Sequence, residues 1–339
     1  MAFQPFPGGA AWPRRLILAL AAGLALSACR SKPTPPRDPV WRGVALGLFA
    51  SVPDYDYADL ITEIAARGAT DVLLVVPWYQ ADTRATAMAP KPGFSPDDAT
   101  VARTLREARS RGLRVGLMPI VRLEDRSGGA WRGQLAPDDF NKWFTNYETR
   151  LTALAQQAKA GGATWLVVGS ELNSLQARPE WPGLFQRLRP LGLRLAWSAN
   201  WDAFEAFPHW GHVDLLGVTG YFPLGADPAA AWAEALPRMR ALRLKHGKPL
   251  LLTEVGWPAR ATARERPWDD GGPAEADPTL QARLWQAFCD AAAPAHTLDG
   301  FFAWNWFGVG GPRDSGYSLR GKPGAATLSQ CFARPWQAP

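Results

Sequence analysis

The sequence predicts an α/β protein, a single (β/α)8 barrel. Two features lead there. Five times a helix-like stretch runs into a glycine placed for a left-handed cap, and a β-rich run follows within a few residues. These are "RGATDVLLVV" from Arg67, "RGLRVGLMPI" from Arg111, "GGATWLVVGS" from Gly161, "LGLRLAWSAN" from Leu191 and "HGKPLLLTEV" from His246. The runs are also almost continuously apolar rather than alternating, as suits parallel strands covered on both faces. Three more runs, "GVALGLF" from Gly43, "VDLLGVTGYF" from Val213 and "LDGFFAWNWF" from Leu298, bring the strands to eight. Eight βα units in roughly 300 residues fit one barrel domain. An open doubly wound sheet usually carries a Gly-rich phosphate turn after its first strand, and "GLFASVPDYD" is not one.

Taken from the amino terminus, Arg14 and Arg15 precede "LILALAAGLAL", an apolar run too short to span a bilayer, which ends in "LSAC". This pattern resembles a bacterial lipobox. Residues 1–28 then read as a signal peptide, with Cys29 the lipidated first residue of the mature chain. Residues 29–40, rich in proline, form a tether. The chain is expected on the cell envelope, lipid-anchored, facing the periplasm or the outside. The barrel domain occupies 41–339. Between its strands lie helical stretches such as Asp139 to Ala160, and Ser95-Pro96 marks another helix start. Cys289 and Cys331 remain in the mature part, and their pairing is left open.

Composition sets limits on function. The 339 residues are 47% hydrophobic and 20% charged, an ordinary globular balance. The net charge of +6 falls to +4 without the leader, which holds two arginines and no acid. Basic residues are scattered, so no nucleic-acid partner is read from them. His209 and His212 have a metal-like spacing, but no nearby acid or cysteine completes a site. No nucleophile-elbow serine and no Walker loop is present. No metal or organic cofactor is expected, and the chain is expected to be a monomer.

Catalytic groups of such barrels sit at the carboxyl ends of strands. Glu171 ends the fourth strand and Glu254 the seventh, so the two converge across the barrel mouth. Two carboxylates over one concavity fit glycoside hydrolysis, in which one protonates the leaving oxygen and the other attacks or activates water. Glu124 and Asp125, past the third strand, read as a solvated loop. The chain has 17 tryptophans. Several aromatic residues fall at strand ends: Trp78 and Tyr79, Trp201, Tyr221, Trp257, Trp304 and Trp306. Aromatic faces stack on sugar rings, although about half of the tryptophans read as core filling. Gln80, Ser170, Asn173 and Asn200 complete the candidate sugar-binding set.

"VGSELNSL", "WSANWDAF", "GVTGYFPL", "LLTEVGW", "FFAWNWF" and "GYSLRGKPGA" resemble, in that order, glycoside hydrolase family 113 and its wider retaining clan. The resemblance runs from about Trp41 to Phe332. It implies that Glu171 is the acid/base and Glu254 the nucleophile. Tyr221 would hydrogen-bond the nucleophile, Trp304 would floor the subsite of the attacked sugar, and the substrate would be a β-1,4-mannan. Three positions depart from the pattern: Ser170 stands where the clan usually has asparagine, Thr219 where an acid is common, and Ile120 where a histidine is common. The expected function is a retaining β-glycosidase acting on a β-linked polysaccharide or oligosaccharide. The alternatives are a non-catalytic glycan-binding lipoprotein on the same barrel and a structural envelope lipoprotein.

Overall fold

A computed structural model describes residues 40–52 and 54–336. The expected leader, Cys29 and almost all of the tether lie outside the described residues. Eight strands form the barrel: β1 (Trp41–Gly47), β2 (Asp71–Gln80), β3 (Arg114–Leu123), β4 (Trp165–Ser170), β5 (Arg194–Ala199), β6 (Leu215–Thr219), β7 (Leu250–Val255) and β8 (Gly300–Ala303). Each pairs in parallel with the next. β1 also pairs with β8, with Trp41 opposite Gly300 and Val44 opposite Ala303, which closes the sheet. A two-residue strand, Met88–Ala89, adds antiparallel to the end of β2.

The helices are α1 (Ala58–Ala66), α2 (Asp98–Ser110), α3 (Phe140–Ala160), α4 (Trp181–Leu188), α5 (Pro228–His246), α6 (Pro278–Ala292) and α7 (Gly324–Phe332). Among the described residues the connection from β5 to β6 has no α-helix. Two 3-10 turns, Phe204–Ala206 and Trp210–His212, cover the strands there. Pro208 lies between them, where it supplies no N–H and opposes helix continuation. α2 starts later than expected. Asp97 is its cap, accepting from the Thr100 amide at 2.7 Å, while the buried Ser95 hydroxyl donates instead to the Pro77 carbonyl.

The five glycines ahead of the strands behave as their positions demand. Gly68, Gly112, Gly162, Gly192 and Gly247 all have φ between 62° and 85°, a region costly for other residues. The apolar runs divide by parity. On β2, Leu73 and Val75 fill the barrel interior, and Val72, Leu74 and Val76 face the helices. The interior is tightly filled: a Cβ on Gly116 would lie 2.2 Å from the Trp165 indole. Cys289 on α6 and Cys331 on α7 form a disulfide. No described helix is long and apolar enough to cross a membrane.

Candidate active site

The carboxyl ends of β4 through β7 build one polar floor. β4 stops at Ser170 and Glu171 follows at once with φ 53°, a left-handed conformation that costs a non-glycine residue about 1–2 kcal/mol. Its amide is held by the Ser198 carbonyl at 2.8 Å. Register shifts between Val167 and Ser170 on β4, and between Leu252 and Val255 on β7, fall beside the two glutamates. Such bulges turn side chains out of the regular alternation. Both carboxyl groups are buried, Glu171 at 6% exposure and Glu254 at 1%.

Glu254 is gripped at both oxygens. The Tyr221 hydroxyl donates to Oε2 at 2.9 Å, and the Ser170 hydroxyl donates to Oε1 at 3.2 Å. Beneath them, the Ser170 and Ser198 hydroxyls lie 3.4 Å apart and those of Ser198 and Thr253 2.6 Å apart, all buried. Burial pushes the Glu254 carboxyl up to about 7, with repulsion from Glu171 adding to it; Arg132, Tyr221 and Ser170 work the other way. Burial, and after it the charge of Glu254, raises Tyr221 well above the usual phenol value, so its hydroxyl keeps its proton to donate.

Glu171 has a different partner. Nη2 of Arg132 donates to its Oε2 at 2.5 Å. Arg132 begins a 3-10 turn, Arg132–Gln134, in the loop after β3. The loop is pinned to the β4 end where the Ser174 hydroxyl donates to the Leu135 carbonyl at 2.6 Å. Burial works against the Arg132 charge, but Glu171 and Glu254 more than offset it and hold the guanidinium above its ordinary value. The sequence marked the start of this loop only as solvated, and Arg132 carries no motif there. Tyr317, from the quoted "GYSLRGKPGA", was assigned no role. Its ring centre lies 6.1 Å from that of Tyr221, and its hydroxyl donates to the Pro267 carbonyl at 2.5 Å.

The other candidates separate into two groups. Trp304 is half-buried at the mouth, against Phe49. Trp201 is half-buried and stacks on Trp268 at 5.6 Å. Asn173 is half-buried, with an Oδ1 that meets no described partner. Asn200 is buried with both amide atoms engaged, donating to Asp202 at 2.7 Å and accepting from Thr219 at 3.2 Å. The remaining four are placed as structural residues. Trp78 packs edge-on to Tyr147, and the Gln80 amide bridges the Trp143 indole and the Asp82 carbonyl. Trp257 is enclosed by Trp232, Trp285 and Phe288, and Trp306 is buried and donates to Glu63. Their sides of the chain face the helices, so no ring face is left for a sugar. His209 Nε2 contacts the Arg178 carbonyl at 3.0 Å and His212 stacks on Phe185. Among the described residues no three His, Cys, Asp or Glu side chains come together as a metal site.

Comparison with known proteins agrees with this fold. A GH113 β-1,4-mannanase structure superposes with a TM-score of 0.79 at 20% identity, covering 88% of this chain and 100% of the other. The GH113 β-mannanase of Alicyclobacillus acidocaldarius, in complex with ManMIm, gives a TM-score of 0.79 at 25% identity over 87% of this chain and 98% of its own. A GH5_18 protein from Streptomyces cattleya, in complex with Manβ1-4GlcNAc, shares the fold at a TM-score of 0.60 and 14% identity, covering 89% and 83%. No curated sequence matches. The family model for glycoside hydrolase family 113 matches residues 54–318, most of the chain, and the protein belongs to that family and is a glycosidase.

Proposed function

We propose that this glycosidase hydrolyses a β-linked, mannose-containing glycan with retention, Glu254 being the nucleophile and Glu171 the acid/base. The observation that carries the reading is the clamp on Glu254. A carboxylate held at one oxygen by Tyr221 and at the other by Ser170 is oriented to present a lone pair to one point in the mouth. Glu254 attacks the anomeric carbon while Glu171 gives its proton to the departing oxygen, which leaves as an alcohol. Glu171, now ionised, takes a proton from water as that water displaces Glu254, releasing the sugar with its original configuration. The carboxyl groups of a retaining pair stand about 5–5.5 Å apart. Arg132 must release Glu171 for the first step, because an acid fixed as a carboxylate in an ion pair has no proton to give.

That ion pair also favours a second reading, a glycan-binding protein without turnover. An aryl β-mannoside with a good leaving group separates the two, since it needs no acid. Proton NMR during its hydrolysis is expected to show the β-anomer first; an α-anomer would overturn retention, and binding without any turnover would favour the second reading. Attachment to the envelope through a lipid on Cys29 is part of the same proposal. The Cys289–Cys331 disulfide supports an oxidising compartment.

A further inference from the structure

The mouth also bears on which glycan the cleft accepts, and this step rests on the glycosidase reading above. The inward rows of the barrel continue upward past its core. Val75 on β2 is followed on the same side by Tyr79, Ile120 on β3 by Arg122, and Ala45 on β1 by Phe49. Tyr79 and Arg122 are register partners. The Arg122 guanidinium carbon lies 5.2 Å from the Phe49 ring centre and 6.0 Å from that of Tyr79. Phe49 in turn lies 6.2 Å from Trp304. One aromatic shelf therefore connects the residue expected beneath the reacting sugar to a half-buried arginine.

Its guanidinium makes no hydrogen bond or ion pair with any described residue. Its neighbours at the mouth differ. Lys91, over Tyr79 and Phe94, is paired with Glu124 at 3.3 Å, Arg132 with Glu171 and Arg320 with Glu63. Stacking on aromatic faces holds a guanidinium plane in place while leaving its N–H fork free, and that fork matches a carboxylate in two parallel hydrogen bonds. A neutral sugar ring needs only the aromatic faces. We propose that this end of the cleft binds an acidic sugar: the substrate is a β-linked glycan carrying a uronic acid, whose carboxylate pairs with Arg122.

The test uses two tetrasaccharides of one linkage, β-1,4-linked mannose and β-1,4-linked mannuronic acid, titrated calorimetrically into the Glu254→Ala protein. The uronate is expected to bind about tenfold tighter or more, and to weaken between about 50 and 500 mM salt while the neutral chain does not. Adding Arg122→Gln is expected to bring the two affinities within about twofold of each other. Arg122→Met, which keeps its stem on the shelf, serves if the glutamine variant melts early. Equal binding of both chains to the parent, or a uronate preference that survives both substitutions, would overturn the proposal. Turnover of an aryl β-mannoside by the unsubstituted protein is measured alongside. No turnover with the uronate preference intact sinks the glycosidase reading alone, and turnover without the preference sinks this one alone.

Discussion

Arg132 holds Glu171 by a direct ion pair and acts on Glu254 only through its field. The guanidinium lowers the Glu254 carboxyl against burial and against Glu171. Arg132→Met is therefore expected to raise that carboxyl further, moving the acid-side limb of the kcat/KM profile to higher pH. The measurement is the pH dependence of aryl β-glycoside hydrolysis by both proteins. An unmoved limb would mean that the arginine does not tune the nucleophile.

Tyr221→Phe removes the hydroxyl that grips Oε2 of Glu254. A hydrogen bond to a charged group contributes about 1.5–3 kcal/mol, so kcat/KM is expected to fall roughly 10–150-fold with little change in melting temperature. A loss of less than about twofold would show that Glu254 does not depend on this donor for its orientation.

The raised Glu254 carboxyl also makes folding depend on pH. The folded state prefers the protonated form, so this group's stabilising contribution is fully present below its ordinary 4.5 and is lost as pH rises through about 7. Glu254→Gln carries no such titration. Between pH 4.5 and 8 the unsubstituted protein is expected to lose melting temperature relative to the variant. A constant difference across that window would argue that Glu254 is not buried as an acid.

The disulfide closes a loop over a sequence separation of 42. In the chain-entropy account such a bridge stabilises by about 4 kcal/mol. Cys289→Ala with Cys331→Ala is expected to lower the urea midpoint accordingly, with turnover retained at low temperature, since the bridge lies outside the barrel mouth. An unchanged midpoint would show that packing of α6 on α7 suffices.

Cys29→Ser is expected to move the protein from the membrane fraction to the soluble one. Retention on membranes after a high-salt wash would place the anchor elsewhere.

The fold was legible because parallel strands buried on both faces leave unbroken apolar runs, and because left-handed caps select glycine. Glu171 and Glu254 were legible because a barrel gathers strand ends at one mouth. The aromatic assignments were less so. Trp78 and Tyr79 are adjacent, yet parity sends one toward the helices and the other into the mouth. Near Glu254 the register shift prevents counting by alternation. The missing helix after β5 was hidden because Phe204, Phe207 and Trp210 supply the apolar density that a helix would. Arg132 sits in a loop without periodicity, and only the folded chain brings it to Glu171.

The two turns that replace that helix have an effect beyond coverage. Phe207 stacks on Trp197 at 4.5 Å with the rings nearly parallel, and Trp197 presses on Gly169, where a Cβ would lie 2.4 Å from the indole. The next residues along, Ser198 and Ser170, are the floor under Glu254. A stack of two aromatic rings thus stands directly behind the floor of the site. A change at the buried Phe207 has a short mechanical route to the nucleophile through Trp197, a ring that Trp181 of α4 also touches, with centres 4.7 Å apart. A substitution at Phe207 is then a means of adjusting the reaction from behind the barrel wall, without touching a residue that meets the sugar.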